Sequence, residues 1–156
     1  MPKATGIILL LVLALTISGC GSNTPGSPGS GNINGTWTAT LTNEDGSLAY
    51  QFSATFTQSA NGSLSVTNFT FTSAGSCFAS YPPDGYGESG SFSLTGNSNG
   101  KIIGTFGMVI ATPNINGPML TLKGTVNGST ISGTWTASST GGCSGNGTFT
   151  LTPSMA

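Results

Sequence analysis

Side chains able to do chemistry are scarce in this 156-residue chain. It has no histidine and no arginine; its cations are Lys3, Lys101 and Lys123, and its acids are Glu44, Asp45, Asp84 and Glu88. A serine nucleophile therefore lacks an imidazole base, a zinc site lacks imidazole ligands, and phosphate or nucleic acid lacks cationic partners. Asp84 and Glu88 stand four apart in the stretch Tyr81-Pro82-Pro83-Asp84-Gly85-Tyr86-Gly87-Glu88. Paired carboxylates can serve glycoside hydrolysis, and two loop acids can begin a calcium site, although calcium takes about six to eight oxygens in an ordered loop. In a loop this rich in Gly and Pro they read as solvated charges, and Glu44-Asp45 beside Gly46 reads as turn chemistry. The expectation is a non-enzymatic chain without metal or cofactor.

The N-terminus is more specific. Lys3 precedes an eleven-residue apolar run, Ile7 to Ile17, and small residues follow. That run is too short for the roughly 20 residues of a membrane-crossing helix and suits the core of a signal peptide. Ile17-Ser18-Gly19-Cys20 resembles the lipobox of bacterial lipoproteins. The resemblance implies cleavage before Cys20, diacylglycerol on its thiol, and acylation (palmitate) of the new amino group. With Gly21 rather than Asp after the cysteine, it implies the outer membrane rather than the inner. The alternatives are an ordinary secretory signal or an uncleaved anchor. The expected organisation is a signal peptide over 1–19, the lipidated Cys20 with a Gly/Ser/Pro tether over 20–32, and one domain over 33–156. Each buried methylene contributes about 0.8 kcal/mol, so two or three chains hold a protein on a bilayer. A dozen flexible residues place the domain roughly 20 Å from its anchor.

Cys77 and Cys143 remain, an even pair in an exported chain, and are expected to form a disulfide. Closing a loop of about 65 residues stabilises the fold by roughly 4 kcal/mol in the chain-entropy account. Neither cysteine has a basic neighbour that would favour a reactive thiolate.

The elements that must position these groups read as strands. Apolar residues alternate with Thr and Ser at Trp37, Ala39, Leu41; at Leu48, Tyr50, Phe52, Ala54, Phe56; and at Ile102, Gly104, Phe106, Met108, Ile110. Further runs lie at 64–71, 92–94, 120–126, 131–137 and 149–151, and no stretch of the mature chain has helical spacing. Asp45-Gly46, Asn61-Gly62, Asn99-Gly100, Asn116-Gly117 and Asn127-Gly128 mark tight turns between antiparallel neighbours. The apolar phase slips by one between Val66 and Phe69, which a β-bulge near Thr67-Asn68 absorbs. A Gly-Thr pair recurs within strands, as at 35–36, 104–105, 124–125, 133–134 and 147–148, where glycine permits bends at barrel corners. The expected fold is all-β, an antiparallel up-and-down meander barrel of about eight strands, with an immunoglobulin-like β-sandwich as the alternative. Gly35-Thr36-Trp37 on the first strand, repeated at Gly133-Thr134-Trp135, resembles the Gly-x-Trp that opens lipocalins and avidin-like calycin barrels. No ligand residues of those families can be placed on this chain.

Two functions survive. One is a cell-envelope protein, structural or engaged in surface interaction with a glycan or protein through Tyr81 and Tyr86. The other is a carrier of a small apolar ligand within a barrel lined by Trp37, Tyr50, Phe52, Phe106 and Trp135. Partners are then the membrane and one of these, not nucleic acid, and the protein is expected to be a monomer.

Overall fold

A computed structural model describes residues 32–79, 85–98 and 101–154. The leader and tether with Cys20, and the loop residues Tyr81 and Asp84, lie outside the described residues. Eight antiparallel strands follow in order: β1 (Gly35–Asn43), β2 (Leu48–Gln58), β3 (Ser63–Ser73), β4 (Gly87–Ser98), β5 (Lys101–Ala111), β6 (Met119–Asn127), β7 (Thr130–Ser138) and β8 (Gly145–Pro153). Each pairs with its sequence neighbour, and β8 returns to β1, closing the barrel rather than forming a two-sheet sandwich. Closure follows from the alternation. Every strand turns one face to the core, and only a closed sheet buries all of those faces while leaving no terminal edge.

Inward positions form a continuous core. Trp37, Leu41, Phe52, Phe56, Ile110, Leu120, Leu122, Ile131 and Leu151 are fully buried. Outward positions carry hydroxyls that meet across strands. One belt runs Gln51, Thr40, Thr150, Ser132, Thr125, Thr105, Ser93 across seven strands. Cross-strand hydroxyl bonds such as Thr36 to Thr55 and Ser93 to Thr105, each 3.0 Å, stabilise the face with almost no charge. A membrane-spanning barrel turns an apolar band outward; this one does the reverse.

The turns follow their chemistry at three sites, where Gly46, Gly62 and Gly128 adopt φ of 82°, 85° and 64°. Asn116-Gly117 differs. It belongs to a loop of residues 112–118 between β5 and β6, and Gly117 has no positive φ there. Glycine is required because a Cβ would strike the Thr112 hydroxyl. The expected bulge is present: Asn68 has φ 51°, and the β2–β3 register shifts between Ser53 opposite Thr70 and Thr55 opposite Thr67. It returns both Phe69 and Phe71 to the core side.

Two elements depart from expectation. A single helical turn, α1 (Gly75–Phe78), lies in the β3–β4 connection, too short to show periodicity. The short run at Phe92 belongs to a twelve-residue β4 that opens Gly87-Glu88-Ser89-Gly90, selected by pairing to β5 rather than by side-chain pattern.

Candidate functional site

The residues expected to line a ligand space divide into two groups. Trp37, Phe106, Trp135 and Tyr50 are interior, between 0% and 6% exposed. Each is held by its neighbours. The Trp37 indole donates to the Ile33 carbonyl at 2.8 Å, drawing the fully buried Ile33 under the end of the barrel where β1 begins. Near the other end, the Trp135 indole lies over Gly147, its cross-strand partner, and donates to the Thr42 carbonyl at 2.9 Å. A Cβ at Gly147 would collide with both that indole and that carbonyl. Tyr50 sets its ring edge-on to Trp135 at 5.2 Å and to Phe78 at 5.5 Å, and burial pushes its phenol pKa up. Phe106 packs between Phe56 and Phe149 at 5.9 and 6.1 Å.

Tyr86 belongs to the second group, set in the barrel wall between β3 and β4 and half-buried against the core. Its ring meets Phe69 at 5.7 Å and Phe71 at 5.4 Å, and its hydroxyl donates to the Phe78 carbonyl at 2.7 Å. This contact fills the top of a seam that the backbone leaves unpaired. β3 and β4 are in register only where Ser63 faces Ser91 and Leu64 faces Gly90. Beyond these, Val66–Ser73 pairs with β2 alone and Gly87–Ser89 with β5 alone. The strands diverge around a cleft of about 570 Å³ lined by Val66, Thr67, Asn68, Phe69, Thr70, Tyr86 and Glu88. Desolvation there pushes the Glu88 carboxyl above its ordinary value.

Cys77 and Cys143 are joined as expected, with Cα atoms 5.7 Å apart. The disulfide ties α1 to the β7–β8 connection and fixes the base on which Tyr86 rests, since Phe78 adjoins Cys77. Beside it the loops enclose a cleft of about 430 Å³, lined by Asn114, Asn116, Pro118 and Thr140 among others and bearing no carboxylate among the described residues. A shallower groove of about 300 Å³ crosses the outer face of β4, β5 and β6 at Ser91, Gly107, Thr121 and Lys123.

Among the described residues no three of His, Cys, Asp and Glu gather where they would hold a metal ion. Asp84 lies outside the described residues, so the Asp84–Glu88 pair has no geometry. Thr67, Asn68, Phe69 and Thr70 were not singled out as binding residues by their types. The signal present was the slip in phase, which located the bulge but not the unpaired edge it occupies. Comparison of the chain with protein-family models, curated proteins and solved structures gave no match.

Proposed function

We propose that this is a lipid-anchored protein of the bacterial cell envelope, attached through Cys20, whose barrel is a non-catalytic platform acting by contact on its outer surface. The observation that supports this reading most is the placement of the chain's entry relative to its loops. Ile33 enters beneath Trp37, and Asn34 accepts a hydrogen bond from the Gln58 amide at 2.7 Å, both at the end where β1 begins. The connections tied by Cys77–Cys143 lie at the opposite end. A tether leading from Ile33 back to an acylated Cys20 then turns the disulfide-bearing end away from the bilayer, with the β3–β4 cleft opening toward it. The packed interior favours surface contact over transport of a ligand inside the barrel. The kinship with calycins stays a matter of Gly35-Thr36-Trp37 and the meander plan.

Metabolic labelling with an alkyne fatty acid, followed by membrane fractionation, tests the anchor. The full chain should carry the label and sediment with membranes, and Cys20→Ala should lose both. Unchanged processing and fractionation of Cys20→Ala would overturn the reading. Native mass spectrometry of the extracted protein should show the acylated chain alone; an extra mass released on unfolding would favour the carrier.

A further inference from the structure

The β3–β4 cleft has the chemistry of a particular class of ligand. Its lining offers the amide of Asn68, the hydroxyls of Thr67 and Thr70 and the carboxylate of Glu88, together with the half-buried ring of Tyr86 and the buried Phe69. No lysine among the described residues lines it, so an anionic group would find no cationic partner there. Glu88 forms no ion pair with a described residue, and an acceptor in a partly desolvated place is best satisfied by hydroxyl donors. The half-buried Tyr86 ring, fixed by its hydrogen bond to the Phe78 carbonyl, gives a hydrophobic surface with defined orientation. About 570 Å³ is within the range of small-molecule sites.

We propose that this cleft binds a neutral saccharide, its hydroxyls bonded by Glu88, Asn68 and the two threonines, and its C–H face lying against the half-buried Tyr86 ring. An extended peptide added as a ninth strand is the rival occupant, because β3 and β4 both present unpaired backbone here. The bulge decides against it. Asn68 at φ 51° twists the β3 edge and breaks the regular spacing of donors and acceptors that a strand requires. The same conformation sets the Asn68 side chain, exposed, at the rim of the cleft. The inference names the partner class for the surface-contact role proposed above, but its test does not depend on the anchor.

The full-length protein in detergent is titrated with cellobiose, maltose, lactose and N,N′-diacetylchitobiose at millimolar concentration, and with an extended Thr/Val hexapeptide, with backbone and side-chain NMR shifts as the readout. At least one disaccharide should bind, with the largest shifts at Thr67–Thr70, Tyr86 and Glu88. Glu88→Gln and Asn68→Gly, the latter keeping the positive φ accessible, should each weaken binding at least tenfold with the fold retained by circular dichroism. Failure of all four sugars to bind, shifts confined to the interior or the disulfide-bearing loops, or binding unaffected by both substitutions would overturn the proposal. Binding of the hexapeptide with new amide protection along Val66–Ser73 would overturn it in favour of strand addition. Loss of saccharide binding with membrane anchoring intact defeats this inference alone, whereas Cys20→Ala failing to release the protein defeats only the anchor.

Discussion

The seam between β4 and β5 and the seam between β3 and β4 share a strand, yet one is sealed and the other parts. On the first, pairing runs from Gly87 opposite Ala111 to Ser98 opposite Lys101. On the second, it ends after Leu64 opposite Gly90. The difference arises on β3, where the bulge at Asn68 changes the edge that would have met β4. It is maintained by Tyr86, whose ring packs against Phe69 and Phe71 in the place of a backbone ladder. A closed barrel thus gains a local opening without exposing its core, because aromatic burial replaces main-chain pairing at that one seam.

The sealed part should respond most strongly to mutation. Trp135→Ala removes the indole that lies over Gly147 and bonds Thr42, and should cost about 3–5 kcal/mol in urea unfolding. A loss below about 1 kcal/mol would mean that the interior is looser than its burial indicates. Replacing Cys77 and Cys143 together by Ser should cost about 2–4 kcal/mol and speed amide exchange around α1, since the cross-link holds the Phe78 carbonyl that anchors Tyr86. Tyr86→Phe deletes the hydrogen bond to the Phe78 carbonyl and should cost about 1 kcal/mol, with the added exchange confined to the parted seam.

The smallest effects are titrations, and they run in opposite directions in the two regions. Burial raises Glu88, so the folded state keeps its proton to higher pH than the unfolded state. Stability should therefore fall as pH rises from the ordinary value of 4.5 through the raised folded value, and Glu88→Gln should remove that slope. Asp45, in the β1–β2 turn of the sealed region, is lowered by the side-chain and backbone hydrogen bonds from Ser47. Its contribution is present above 3.8 and lost as pH falls through the lowered folded value, and Asp45→Asn should abolish that acid-side loss.

Much of the sealed region was legible in the sequence. Alternation at Trp37–Leu41 and Gly104–Ile110 gave the inward face, and Asp45-Gly46 and Asn61-Gly62 gave the hairpins, because both depend on local periodicity and local backbone preference. The Cys77–Cys143 pair was legible by count, as the two cysteines left beside Cys20. The parted seam was not, for a physical reason: the phase slip at Thr67-Asn68 shows that a bulge exists, but whether the neighbouring strand follows it depends on register between distant residues. The first half of β4, Gly87-Glu88-Ser89-Gly90, has no alternation to read, and α1 is a single turn. At Asn116-Gly117 the turn was legible, and Gly117 closes it by donating to the Asn114 carbonyl at 2.8 Å, but the glycine answers to the Thr112 hydroxyl beside it and not to a positive φ.

Hydrogen exchange resolved to single amides tests the contrast between the two seams most directly. The account predicts strong protection of the inter-strand amides from Ser91 to Leu94 and across β5–β8, with fast exchange for the amides of Val66–Ser73 and Gly87–Ser89 that point across the β3–β4 seam. Uniform protection along both strands would mean a fully zipped barrel with no cleft there and would contradict the account.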